Sequence, residues 1–94
     1  MSYHLVMRIS LRRVKNSLLP LGLADQAQRD IAALALNPHA HPKVQESRRS
    51  YKIKYGPWRL FYAVFESQKR VEVWRFWRKK PHGYARIPAR YNPQ

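Results

Sequence analysis

Residues Tyr51 to Tyr84 read YKIKYGPWRLFYAVFESQKRVEVWRFWRKKPHGY. Tyr51-Lys52-Ile53-Lys54-Tyr55 alternates strictly, and side chains of a strand point alternately to opposite faces. Tyr51, Ile53 and Tyr55 therefore share one face, with Lys52 and Lys54 on the other. Gly56-Pro57 turns the chain. Trp58 to Phe65 reads as the next strand, with Trp58, Leu60, Tyr62 and Val64 opposed to Arg59, Phe61, Ala63 and Phe65. Glu66-Ser67-Gln68-Lys69 makes a hairpin loop. Val71 to Arg78 is the third strand, with Glu72, Trp74, Phe76 and Arg78 expected on one side and Val71, Val73, Arg75 and Trp77 on the other. Both faces of that strand are aromatic, so the pattern leaves open which one packs inward.

If Lys52, Lys54 and Arg59 share a sheet face, three cations stand in one hairpin with no acid beside them. Like charges side by side repel, and a phosphate would relieve them, since arginine grips two oxygens and lysine adds a point charge. Splaying of the same side chains into water is the competing reading. Trp58 is expected in the core. Trp74 or Trp77 is left to meet RNA, which is often held by aromatic stacking, or a protein partner.

The preceding residues supply a backing layer. Tyr3 to Ile9 alternates, with Tyr3, Leu5, Met7 and Ile9 on one face, and predicts a half-buried strand. Ser10 caps a helix carrying Leu11, Val14 and Leu18, which Pro20 and Gly22 stop. A second helix is expected from Ala24 to about Leu36, with Leu23, Ala27, Ile31 and Leu34 as its apolar stripe. Asp25 and Gln28 have the spacing of a capping box, and Asn37-Pro38 ends the helix. His39 and His41 lie in a Pro-rich loop whose next candidate ligands are Glu46 and the distant His4 and His82, a poor pattern, so they read as solvated and no metal site is expected. The fold class expected is α+β in the order β-α-α-β-β-β, an antiparallel-rich twisted sheet backed by an N-terminal α-hairpin. The whole of 1–94 is one domain: strand plus hairpin over 1–37, a loop over 38–50, the sheet over 51–84 and a Pro-rich tail over 85–94.

Composition narrows the partners. Nineteen Lys and Arg against five Asp and Glu give a formal charge of +14 over 94 residues. Residues 1–42 hold five cations against two acids, and residues 43–94 hold fourteen against three. Such a field attracts polyanions. There is no cysteine, hence no disulfide framework or thiolate zinc site. No apolar run approaches the ~20 residues of a membrane span, and MSYHLVMRIS lacks a signal-peptide core. A cytoplasmic location is expected, with no membrane association.

The strand order, the YKIK strand, the following WRLFY strand and a last strand closing in Arg78 with Tyr84 six residues on resemble the RelE/ParE superfamily of bacterial toxin–antitoxin toxins. The likeness is closest to the RelE branch, whose members cut messenger RNA in the ribosomal A site. It implies that Lys52 and Lys54 match the paired catalytic lysines, Arg59 the arginine binding the scissile phosphate, Arg78 the last-strand arginine and Tyr84 the closing tyrosine. His82 is a second candidate for the leaving-group acid, because arginine's very high pKa makes it a poor proton donor. Phe76-Trp77 replaces the usual glycine-lysine, a departure bearing on Arg78. Arg48, Arg49, Arg75, Trp77, Lys79 and Lys80 are further candidate RNA contacts, with Arg12, Arg13 and Lys15 as ribosomal-RNA backbone contacts. The resemblance also implies 2′-OH attack without metal or cofactor, an acidic antitoxin partner, binding to the small ribosomal subunit, and operator DNA binding only as the toxin–antitoxin complex. Two rivals stand beside it: a ParE-like inhibitor of DNA gyrase without nuclease activity, and a non-catalytic RNA-binding module of the same fold.

Overall fold

The computed structural model describes residues 2–44, 49–79 and 91. Along the chain run β1 (His4–Met7), α1 (Leu11–Leu18), α2 (Ala24–Ala33), β2 (Ser50–Tyr55), β3 (Trp58–Phe65) and β4 (Arg70–Arg78). The four strands form one sheet in the order β1-β4-β3-β2. β2–β3 and β3–β4 are antiparallel hairpins, whereas β1 pairs with β4 in parallel. This is the expected α+β order, with a mixed sheet.

The α-hairpin forms for the reasons its sequence gives. Ser10 Oγ accepts from the Arg13 amide at 3.2 Å, which satisfies one of the orphan donors of α1. Gly22 takes a left-handed φ of 70° and closes the turn between the helices, a conformation that favours glycine. α2 departs from expectation at both ends. Its N-cap is Leu23 with no side-chain cap, so Asp25 lies inside the first turn and the capping box with Gln28 does not form. Asp25 instead places a negative charge near the positive end of the helix dipole. At the other end the α-helix stops at Ala33, three residues early. The amides of Leu34, Ala35 and Leu36 bond to Ile31, Ala32 and Ala33, each three residues back, a tightening common in last turns. Pro38 disfavours helical geometry at Asn37, and the Ala35 carbonyl is taken by the Tyr3 amide at 2.6 Å.

The main core lies between the hairpin and one sheet face. Val14, Leu18, Ala27, Ile31 and Leu34 meet Ile53, Tyr55, Leu60, Tyr62, Val64, Val71, Val73 and Phe76 there. Tyr3, Leu5, Met7 and Ile9 pack against its rim, as their alternation predicts. Trp58 stacks on Phe76 with centroids 4.7 Å apart, on the core side as expected.

β4 corrects the strict alternation. Phe61 pairs with Arg75 but Tyr62 pairs with Val73, so Trp74 is a bulged residue without a partner on β3. One inserted residue shifts every side chain beyond it to the other face. Trp74 and Phe76 are consequently on opposite faces, with Val71, Val73 and Phe76 inward and Trp74 in a second cluster on the outer face.

Two buried phenols tie α2 and its following loop to the sheet. Tyr55 donates to Asp30 Oδ2 at 2.6 Å and Tyr62 to the Pro38 carbonyl at 2.6 Å. Burial raises both pKa values well above the ordinary 10.0; the Asp30 hydrogen bond and charge add to the effect at Tyr55, and the nearby Tyr51 adds to it at Tyr62. The folded state therefore keeps both protons at a pH where unfolded tyrosines have lost theirs. Stability from these groups is fully present below pH 10 and falls as pH rises above it. Thermal melts from neutral to strongly alkaline pH should show this fall. A Tyr55→Phe/Tyr62→Phe variant should flatten it while losing about 1 kcal/mol per hydroxyl at neutral pH.

Candidate nucleic-acid interface

The outer sheet face is built by register. Lys54 pairs with Arg59, Lys52 with Phe61 and Ser50 with Ala63. Directly opposed residues of antiparallel strands project to the same side, so Lys52, Lys54 and Arg59 stand on one face, away from the helices. Across β3, Trp77 pairs with Arg59 and Arg75 with Phe61, which brings both onto that face as well.

Arg59 is the most constrained member. It is only 9% exposed, and its Nη1 donates to the Gly56 carbonyl at 2.7 Å and the Trp58 carbonyl at 2.8 Å. Those bonds fasten the guanidinium to the β2–β3 turn, where Gly56 has a left-handed φ of 59°. Lys54 is exposed and Lys52 half-buried. Arg75 lies with its guanidinium carbon 4.4 Å from the Trp77 ring centroid and 5.1 Å from that of Trp74, held by cation–π attraction.

Beside these cations lies an aromatic layer of Phe61, Phe65, Trp74 and Tyr91, with Val44 and Ala63 and with Trp77 packed on its edge. Tyr91 stacks flat on Trp74 at 4.5 Å and meets Phe65 edge-on. Its carbonyl accepts from the buried Ser50 hydroxyl at 3.0 Å. The sequence pattern gave no indication that a tail residue would cover this face. Among the described residues, the buried Arg59 Nε, Arg70 Nε, Trp74 Nε1 and Arg75 Nη1 have no hydrogen-bond partner. All four are donors. Unmet buried donors are costly.

Not every candidate joins the face. Arg78 pairs with Trp58, which places it at the strand end on the core side, opposite Lys52, Lys54 and Arg59. Lys79 is exposed beyond it, its amide donating to the Pro57 carbonyl at 2.8 Å. Arg12 and Arg13 are exposed and Lys15 half-buried on α1, which packs against the other side of the sheet. Arg48, Lys80, His82 and Tyr84 lie outside the described residues. Arg49 is half-buried beside the ring of Phe65.

Two ionic clusters were not legible from spacing. Glu72, 0% exposed, receives Arg8 Nε at 2.8 Å and approaches Arg70 Nη2 at 3.7 Å. His39, expected to be solvated, instead bridges Tyr51 Oη at 2.8 Å and Glu66 at 2.5 Å, while Tyr3 donates to the same carboxylate at 3.0 Å. Desolvation pushes the Glu66 pKa up, but hydrogen bonds from Tyr3, His39 and Lys69 outweigh it and hold the carboxyl below its ordinary value. Among the described residues no group of three or more His, Asp or Glu side chains has metal-site geometry.

The fold is similar to solved toxin structures. One is a double-arginine variant of E. coli toxin RelE in the free state, 21% identical, covering 83% of this chain and 84% of that one with a TM-score of 0.62. Another is the toxin–antitoxin complex RelBE2 from Mycobacterium tuberculosis, 21% identical, covering 84% of this chain and 93% of that one with a TM-score of 0.57. No curated protein matches the sequence. Residues 10–81 match the family described as the ParE toxin of type II toxin–antitoxin system, parDE. With most of its length inside that match and a fold shared with RelE toxins, the chain belongs to the RelE/ParE superfamily of type II toxin–antitoxin toxins.

Proposed function

We propose that this toxin is an endoribonuclease that cleaves messenger RNA in the ribosomal A site, in the cytoplasm, by attack of a 2′-OH on the adjacent phosphate. The observation carrying this reading is the pairing of Lys54 with Arg59, with Lys52 on the same face. Three cations thus surround a position one phosphate can fill. The reaction needs the hydroxyl deprotonated, the charge on the phosphorane stabilised and the leaving 5′-oxygen protonated. One of the two lysines is the base, and Arg59 with the second lysine stabilises the transition-state charge. By the family resemblance Tyr84 closes the site, and His82 is the candidate proton donor, since arginine's very high pKa makes it a poor one. Arg78 starts from the core side of its strand, so leaving-group protonation is assigned away from it. The ribosome supplies docking through RNA phosphates. A cognate acidic antitoxin would neutralise the same face, and operator DNA would be bound only by the two together; the similar RelBE2 structure is itself a toxin–antitoxin complex.

The test is translation of a short message in a purified system, followed by mapping of 5′ ends. Wild type is expected to leave cuts within the A-site codon. Absence of such cuts, or cuts undiminished in a Lys52→Ala/Arg59→Ala variant, would overturn the reading. A second reading, inhibition of DNA gyrase, is favoured by the ParE description of the matching family and by the core-side register of Arg78. It requires loss of supercoiling by purified gyrase at toxin concentrations that leave translation intact.

A further inference from the structure

Three cations of the outer face stand on a line that crosses the strands. Lys54 on β2 pairs with Arg59 on β3, and Arg59 pairs with Trp77 on β4. Arg75, two positions before Trp77, is therefore the diagonal neighbour of Arg59 on the same face. Such backbone positions lie about 7–8 Å apart, within reach of long side chains. The other two corners of that square are Phe61 and Trp77, so apolar surface separates the two arginines. Glu72 is the only acid on any of the four strands, and Arg8 and Arg70 hold it. Arg75 is half-buried and makes no hydrogen bond or ion pair among the described residues. Its place is set by Trp77 and Trp74, whose ring centroids lie 4.4 and 5.1 Å from its guanidinium carbon. Cation–π attraction orients a guanidinium without neutralising its charge.

The geometry points to Arg75 as the residue that binds the phosphate next to the scissile one, with the message crossing the sheet from Lys54 and Arg59 towards β4. The inference rests on the nuclease reading and adds a substrate-binding residue to that site. The two arginines hold different phosphates because their guanidiniums are fixed apart. Arg59 Nη1 is tied to the Gly56 and Trp58 carbonyls at the β2–β3 turn, whereas Arg75 is held against two tryptophans farther from it. Like charges set in apolar surroundings repel more than in water, and an anion at each offsets that repulsion. Arginine suits the task, since its planar fork bonds two phosphate oxygens at once. A carboxylate of an acidic protein could meet either guanidinium singly. The fixed step from Arg59 to Arg75 favours a polymer that carries its charges at regular intervals. Register also decides which β4 arginine serves: Arg75 faces the site, while Arg78 pairs with Trp58 on the core side.

The test programmes purified ribosomes with short synthetic messages in which the linkage immediately 5′ or immediately 3′ of the cut is a neutral methylphosphonate. Single-turnover cleavage rates are then compared with those of the unmodified message. In wild type, one of the two substitutions is expected to slow cleavage about tenfold, the low end for a hydrogen bond to a charged group. Arg75→Gln should slow cleavage of the unmodified message by a similar factor and lose its sensitivity to that linkage. Arg75→Lys, which keeps a cation over the tryptophans but not the fork, should keep part of the sensitivity. Each sensitivity is a ratio within one variant, so a general loss of folded protein leaves it unchanged. Equal sensitivity in wild type and Arg75→Gln, or none in wild type, would overturn the assignment and leave the nuclease reading standing. Undiminished cleavage by Arg75→Gln with weakened binding of a poly-glutamate peptide would also overturn it, giving Arg75 to a protein partner. A wild type that leaves the unmodified message uncut would remove the nuclease reading, and the role of Arg75 with it.

Discussion

On the nuclease reading, Arg59→Ala is expected to lower message cleavage on the ribosome by about two to three orders of magnitude, the usual cost of removing one preorganised donor from a transition-state charge. The size of the effect follows from how Arg59 is held. Its Nη1 bonds to the Gly56 and Trp58 carbonyls, so the guanidinium needs no reorganisation when a phosphate arrives. Arg59→Lys should lose nearly as much, because one ammonium cannot hold two turn carbonyls and also present a fork to phosphate oxygens. Removal of the same bonds loosens the β2–β3 turn, so melting temperatures must accompany the rates. A rate loss in Arg59→Lys without a comparable loss of stability separates the chemical role from the structural one. Arg78→Ala provides the contrast. With its register on the Trp58 side, its loss should cost less than a tenth of what Arg59→Ala costs in rate. Equal losses at the two positions would show that the strand end swings Arg78 onto the outer face during cleavage.

The hairpin Tyr51–Phe65 was legible because every structural cue in it agrees. Period-two alternation, Gly56-Pro57 at the turn and β-branched or aromatic residues give one register, and that register alone brings Lys54 opposite Arg59. The helices were legible from their apolar stripes and stops, apart from the cap of α2, where Asp25 competes with Leu23 and backbone geometry decides. β4 was not legible beyond Val73. A bulge shifts the alternation without altering composition, and the aromatic residues on both sides of the bulge disguise it. Nor does local sequence encode the parallel β1–β4 pairing, which draws Arg8 to Glu72 across 64 positions. Tyr91 escaped for a similar reason: the aromatic layer that receives it exists only after β3 and β4 have paired.

The Glu72 pairing carries the largest expected effect on stability. Glu72 is wholly buried, whereas its partner Arg8 is 52% exposed at the side chain. Burying a carboxylate costs several kcal/mol, which its partners offset only through close, well-aligned contacts. Arg8 supplies such a contact at 2.8 Å, and Arg70 at 3.7 Å is too distant for a good hydrogen bond. Arg8→Ala takes the close ion pair from a buried carboxylate, and should destabilise the fold by about 3 kcal/mol, the low end for a broken buried pair. In a domain of this size that lowers the melting temperature by roughly 12 °C or more. Glu72→Gln removes the charge and leaves Arg8 free to hydrate, so it should cost less, about 1 to 2 kcal/mol for the weakened hydrogen bonds. The double variant should be hardly less stable than Glu72→Gln alone, because the arginine's value lies in its partner's charge. An Arg8→Ala loss below about 0.5 kcal/mol, the range of a surface pair, would mean that Arg70 moves in to serve Glu72.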